Sequence, residues 1–210
     1  MLTRAEKAEH IRKAMFNLPN QLTSLRLMLS VIMFCFIIKE WYIASFVLFI
    51  IASGTDWFDG YYARKYGQVT TLGRILDPFA DKVIVCGTFI FLTSIPAMAQ
   101  VPWGLQPWMV VVIVGRELLV TALRSFIEDR GVDFSAKMSG KLKMVIQCIA
   151  AGTCLFWLHY PLPLAHALQL QGPDWCWWIL VIFVWASVLL TIYSGLVYIR
   201  IAAQLLRKDL

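Results

Sequence analysis

The residues Asp56-Trp57-Phe58-Asp59-Gly60-Tyr61-Tyr62-Ala63-Arg64, followed after eight more by Gly73 and then by Asp77 and Asp81, decide how this chain is read. The four aspartates fall in two pairs, spaced by three and by four, so each pair shares one face of a helix. Apolar runs flank the stretch on both sides. A carboxylate at mid-bilayer costs about 2.5–3.5 kcal/mol, so four of them call for a water-accessible cavity near the interface. Two carboxylates about 4 Å apart repel by about 4 kcal/mol at an effective dielectric of 20. If the four converge, they need cations or must take up protons. Arg64, Lys65, Arg74 and Lys82 are one source of positive charge, and divalent metal is the other.

The donor set favours metal. Hard oxygen ligands without His or Cys suit Mg2+ or Mn2+. Two facing helical pairs can hold two ions about 3.5–4 Å apart, the arrangement that clamps phosphoryl oxygens during a displacement. Gly60 removes a side chain beside the first pair, so a substrate can approach the backbone, and Gly73 does the same or turns the loop. Pro78 is tolerated in a first helical turn, which places the start of the third span near Asp77. The competing reading is a structural network in which the aspartates pair with loop lysines and arginines.

The rest of the chain supplies the setting. It has 210 residues, 60% hydrophobic and only 15% charged. With a mean hydropathy of +0.69, that composition fits a polytopic membrane protein of one domain. The five cysteines are scattered without metal-ligand or redox spacing, and the three histidines form no cluster. A histidine metal site and a Ser-His triad are therefore disfavoured.

The apolar runs predict an all-α polytopic membrane protein with six transmembrane helices, at about 22–38, 41–62, 77–95, 109–126, 144–157 and 175–199. Lys39-Glu40 makes the first connection a tight hairpin. Residues 64–73 read as a polar loop, 96–107 as an uncharged one, 128–143 as a charged segment and 161–173 as a loop or a short surface helix. Ahead of the spans, Thr3 and Glu6 match a capping box, and Ile11, Ala14, Met15 and Phe16 are apolar anchors. The N-terminal segment reads as a short amphipathic interfacial helix, with Arg4, Lys7, Arg12 and Lys13 toward headgroups. A solvated basic tail is the alternative. The expected division is 1–18 for this helix and 19–210 for the membrane domain.

Lysine and arginine set the orientation. The N-terminal segment and the second and fourth connections carry several, whereas the opposite connections carry only Lys39. Trp41, Trp103, Trp108, Trp157, Trp175, Trp177 and Trp178 gather at the other ends of the spans, as an interfacial aromatic belt would. Both termini and the aspartates are thus expected in the cytosol, at a bacterial-type inner (cytoplasmic) membrane. Arg116, Arg124, Lys137 and Lys141 fall on the same side.

At Asp56, Asp59, Gly60, Ala63, Arg64, Gly73, Asp77 and Asp81 the sequence resembles the CDP-alcohol phosphotransferase family, whose fixed motif positions are all met. Softer support comes from Pro19-Asn20-Gln21-Leu22-Thr23-Ser24-Leu25-Arg26, from Gly115-Arg116-Glu117 and from the segment 137–143. The resemblance implies six spans, a homodimer, and transfer of a phosphatidyl group from CDP-diacylglycerol to an alcohol with release of CMP. It implies that Asp56, Asp59 and Asp77 hold one metal ion, that Asp56, Asp77 and Asp81 hold or approach a second, and that Asp81 takes the acceptor's proton. Gly60 and Arg64, with Thr70 a weaker candidate and Gly73 beside them, would contact CDP-diacylglycerol, and Asn20 and Thr23 would border its nucleotide. Asn20, Thr23 and Arg26 recur every three residues along one side of the first span, although a helix cap explains Asn20 or Thr23 equally well.

The acceptor must be chosen by other residues. Arg116 and Arg124 are eight apart, nearly on one face, and a buried arginine in a span needs a partner. An acceptor phosphate held by Arg116, Arg124, Lys137 and Lys141 provides one, which favours glycerol 3-phosphate over choline, ethanolamine or serine. Positive-inside anchoring, with Arg116 paired to Glu117 or Glu128, is the plainer alternative. The expected product is phosphatidylglycerophosphate; inositol phosphate is the second acceptor to consider. A cation- or proton-coupled transporter and a lipid-binding scaffold without catalysis are readings from other classes. Acid clustered at one end, with an almost charge-free outer half, argues against a transport path. Nothing points to a nucleic-acid partner.

Overall fold

The computed structural model describes residues 18–66, 73–128, 138–160 and 175–208, with side chains described at 21–55, 76, 78–124, 142–160 and 175–204. Every described element is α-helical: α1 (Leu18–Ile38), α2 (Tyr42–Tyr66), α3 (Gly73–Thr93), α4 (Pro96–Ala99), α5 (Pro107–Glu128), α6 (Met138–His159) and α7 (Trp175–Lys208). Apart from α4, the shortest has 21 residues, about 32 Å at 1.5 Å per residue, the thickness of a bilayer's hydrocarbon core.

Among the described residues, three stretches are both long and apolar enough to cross a membrane: Gln21–Ile38, Leu142–His159 and Trp175–Gln204. The other three long helices are interrupted by charge. The apolar part of α2, Tyr42–Thr55, stops where Asp56 begins. α3 carries Arg74, Asp77, Asp81 and Lys82, and α5 carries Arg116, Glu117 and Arg124. The helices that fall short on apolarity are those bearing the four motif aspartates, Arg116 and Arg124.

Several ends differ from expectation. α3 starts at Gly73 rather than near Asp77, so Pro78 lies at the sixth position, inside the helix. There it deprives the carbonyl of residue 74 of its helical donor. α2 runs on to Tyr66, α6 begins at Met138 within the charged segment, and α7 continues past 199 to Lys208. The loop expected over 96–107 contains α4. Hydropathy marks where lipid is favoured, while helices continue into polar sequence. The expected N-terminal helix, the 161–173 segment, Thr70 and Lys137 lie outside the described residues.

The chain packs as two compact units, 1–87 and 88–210, divided inside α3. In the first, α1 buries Thr23, Arg26, Ser30, Met33 and Ile37, a row at spacings of three and four, and α2 buries Tyr42, Ser45, Phe49 and Ala52. The buried hydroxyls turn to their own helices: Ser30 donates to the Arg26 carbonyl at 2.7 Å and Ser45 to the Trp41 carbonyl at 3.0 Å. The hairpin between α1 and α2 closes with a Schellman arrangement. Trp41 N–H donates to the Phe36 carbonyl at 2.9 Å and Glu40 N–H to that of Ile37 at 3.0 Å. Glu40 takes the left-handed position, φ 61°, and the Phe36 and Trp41 rings meet at 5.3 Å. Gly87 of α3 lies against the tip of the Phe34 ring, where a Cβ would collide.

In the second unit, α6 buries Gln147, Ala150, Ala151, Cys154, Leu155 and Leu158. α7 buries Leu180, Val184, Ser187, Val188, Thr191, Ser194 and Tyr198. Small residues on α6 let the backbones approach, and Gln147 donates to Thr191 Oγ1 at 3.0 Å. α5 adds Met109, Val110, Ile113 and Val120. At its start, Trp185 Nε1 donates to the Trp103 carbonyl at 2.9 Å and its ring meets Trp108 at 6.0 Å. Trp41, Trp108, Trp175 and Trp178 are exposed beside helix starts, and Trp103 is exposed in the turn between α4 and α5.

Candidate functional site

All four motif aspartates sit on helices. Asp56 and Asp59 belong to the second half of α2, and Asp77 and Asp81 to the first half of α3. Helical backbone at both places puts each pair on one face, as the spacings of three and four require. Gly60 and Arg64 follow on α2, and Gly73 is the first residue of α3 rather than part of a loop. Among these residues the described side chain is that of Asp81. Convergence of the four therefore lies outside what the described side chains test, and no cluster of three metal-ligating residues occurs among them.

Asp81 has a partner that the nearby basic residues of its own motif did not suggest. Arg26 Nη1 of α1 donates to Asp81 Oδ1 at 3.0 Å. The arginine is 2% exposed and the aspartate 24%. A guanidinium that deep in an apolar helix row needs an anion, and α3 supplies it. Arg26 thus ties the candidate base to the first helix, on the face that also carries Thr23. Thr23 is fully buried, whereas the side chain of Asn20 lies outside the described residues. The regular spacing of Asn20, Thr23 and Arg26 was the sequence signal that pointed to this face.

Of the basic residues proposed for an acceptor phosphate, the described side chains are those of Arg116 and Arg124, both in the unit 88–210, while Lys137 and the side chain of Lys141 lie outside the described residues. Arg116 is 91% buried, its side chain retaining 9% exposure. Its Nη1 donates to Glu117 Oε1 at 3.1 Å and its Nη2 to Ser194 Oγ of α7. The Tyr198 ring lies 5.4 Å from its guanidinium carbon. Lys143 of α6, also buried, donates to the same Glu117 oxygen. The plainer expectation for Arg116, pairing with Glu117, is therefore the contact that forms. Arg116 Nε and Arg124 Nε are buried and find no hydrogen-bond partner among the described residues. Sequence reasoning named Glu117 only as a pairing partner for Arg116 and gave Lys143, Ser194 and Tyr198 no individual role. They come from three helices, and only the neighbour Glu117 is visible in a linear reading.

Comparison with known proteins agrees with the motif. Residues 16–193 match the family model described as CDP-alcohol phosphatidyltransferase. A protein of Bacillus subtilis (strain 168) named CDP-diacylglycerol--glycerol-3-phosphate 3-phosphatidyltransferase is 37% identical, over 88% of this chain and 94% of its own length. One of Haemophilus influenzae with the same name is 30% identical over 89% of this chain and 94% of its own. A probable phosphatidylglycerophosphate synthase of Mycobacterium tuberculosis (strain ATCC 25618 / H37Rv) is 33% identical over 92% of this chain and 85% of its own. With the family model spanning most of its length and the aspartate motif complete on α2 and α3, the chain belongs to the CDP-alcohol phosphatidyltransferase family.

Proposed function

We propose that this protein transfers the phosphatidyl group of CDP-diacylglycerol to sn-glycerol 3-phosphate, giving phosphatidylglycerophosphate and CMP. The observation that carries the reading is the likeness to the Bacillus subtilis enzyme across 94% of that protein, whose name states both substrates.

The donor residues fit divalent metal: four carboxylates on two helices, at spacings that share faces, with no soft ligand among them. Asp56, Asp59, Asp77 and Asp81 would hold two Mg2+ or Mn2+ ions, which when bound offset the charge of the diphosphate and of the departing CMP. Asp81 accepts the proton of the glycerol hydroxyl as that oxygen bonds to the phosphatidyl phosphorus and the bond to CMP breaks. A free carboxylate is a weak base, so placement matters, and the Arg26 contact provides it by fixing one oxygen. Gly60, Arg64, Thr70 and Gly73 contact the cytidine diphosphate, with Asn20 and Thr23 bordering the nucleotide. Arg116 and Arg124, with Lys137 and Lys141, receive the phosphate of the acceptor.

In this reading the six long helices span the membrane, the N-terminal segment lies on its surface, and both termini and the site face the cytosol. The division is 1–18 for the interfacial helix and 19–210 for the membrane domain. The charges carried by α2, α3 and α5 support it, because charged residues within helices of membrane-spanning length call for a polar environment. The protein works as a homodimer.

The test is an acceptor panel. Purified protein with CDP-diacylglycerol is given glycerol 3-phosphate, inositol phosphate or serine, and the lipid product is identified by mass spectrometry. Phosphatidylglycerophosphate formed at least about tenfold faster than the other products is expected. Preference for another acceptor overturns the assignment.

A further inference from the structure

Glu117 is a largely buried carboxylate inside the long helix α5, and the transfer reaction gives it no role. One of its oxygens, Oε1, accepts both from Arg116 on its own helix and from Lys143 on α6. Arg116 is held from α7 as well, by the Ser194 hydroxyl and the Tyr198 ring. Its stem crosses Gly195, where a Cβ would come within 3.3 Å of Arg116 Cγ. Three helices thus fix one guanidinium and one ammonium a single oxygen apart.

Stability alone explains this poorly. A buried ion triad rarely outperforms apolar residues of the same volume, since desolvation consumes most of the Coulombic gain. The three side chains carry two positive charges and one negative. Arg116 keeps a buried Nε that bonds nothing among the described residues. An arrangement of this kind suits an incoming anion better than it suits packing.

We propose that Glu117 is a positioning residue for the acceptor's phosphate, holding Arg116 and Lys143 together as one anion site, with Lys143 its second cation. This rests on the acceptor reading given above and adds two residues to it. Glu117 touches neither substrate; it sets where the two cations stand. The carboxylate also lowers the site's charge, so its removal has opposite effects under two accounts. If net charge alone governed affinity, Glu117→Gln would tighten binding of an anionic acceptor. If position governs, it weakens binding.

The test is steady-state kinetics of CMP release from CDP-diacylglycerol on full-length protein, with glycerol 3-phosphate varied. Glu117→Gln is expected to raise KM for glycerol 3-phosphate about tenfold or more, with KM for CDP-diacylglycerol within about twofold. Glu117→Asp should recover part of the loss. An unchanged or lower KM for glycerol 3-phosphate in Glu117→Gln overturns the proposal, whatever happens to thermal stability. Should Glu117→Gln fail to fold, Lys143→Met decides, because it leaves the Arg116–Glu117 pair neutral. A KM for glycerol 3-phosphate raised by a similar factor supports the site, and an unaltered one overturns it. Wild-type protein that releases no CMP on adding glycerol 3-phosphate overturns the proposed function and this inference together. Wild-type turnover with an unaffected Glu117→Gln overturns the inference alone.

Discussion

Arg26 Nη1 reaches Asp81 Oδ1 at 3.0 Å, joining the most buried charge of α1 to the last aspartate of the motif on α3. The two partners are unequally buried, 2% against 24%, so losing one is unlike losing the other. Asp81→Leu strands a buried guanidinium and should destabilise by about 3–5 kcal/mol. Asp81→Asn keeps an oxygen for Arg26 and should cost about 1–2 kcal/mol while abolishing turnover. Arg26→Met leaves an aspartate that already reaches water, with a similarly small stability cost and about a tenfold loss of rate. Thermal unfolding in detergent, alongside CMP release, checks the ranking; equal destabilisation by Asp81→Leu and Asp81→Asn would contradict it.

The α1–α2 hairpin carries a non-glycine residue in the left-handed position, Glu40 at φ 61°. Both Schellman hydrogen bonds and the Phe36–Trp41 contact are present, so the backbone there is set by the motif rather than by the side chain. Glu40→Gly removes the strain of a Cβ at positive φ and should stabilise by about 0.5–1 kcal/mol. A lowered melting temperature would show that the glutamate side chain contributes more than its backbone costs.

Gly87 faces the end of the Phe34 ring, and a Cβ there has no room unless the ring tilts. Gly87→Ala should therefore destabilise by about 1–3 kcal/mol despite alanine's better helix propensity. Adding Phe34→Leu should return part of that loss, a coupling that a double-mutant cycle measures directly. Strict additivity would mean that the two do not press on each other.

Between α6 and α7, buried Gln147 donates to Thr191 Oγ1 at 3.0 Å. Thr191→Val keeps the shape and removes the acceptor, leaving an amide donor in apolar surroundings. The expected cost is about 1–2 kcal/mol, at the upper end of interhelical hydrogen bonds in membranes. Pairing it with Gln147→Leu should erase most of the penalty; a double variant as unstable as Thr191→Val alone would contradict this.

Helix positions were legible because each long helix is built around an apolar run, and the motif was legible because its eight positions are local. Helix ends were not. Residues 64–66 and 138–143 carry charge yet are helical, α7 continues beyond 199 to Lys208, and Pro78 falsely signalled a first turn. The site's partners were hidden by distance along the chain. Arg26 and Asp81 are 55 residues apart, Glu117 and Lys143 26, and Arg116 and Ser194 78. Spacing could place Arg26 on a face with Thr23, but only packing could choose which helix meets that face.

The central claim is that the motif carboxylates hold divalent ions without which the phosphatidyl group does not move. CMP release from CDP-diacylglycerol and glycerol 3-phosphate, followed as free Mn2+ or Mg2+ is titrated into chelator-stripped protein, tests it most directly. The account predicts no release without metal, recovery on titration, and a right-shifted or absent response in Asp77→Asn. Full turnover in excess chelator, or a wild-type metal response in Asp77→Asn, would contradict it.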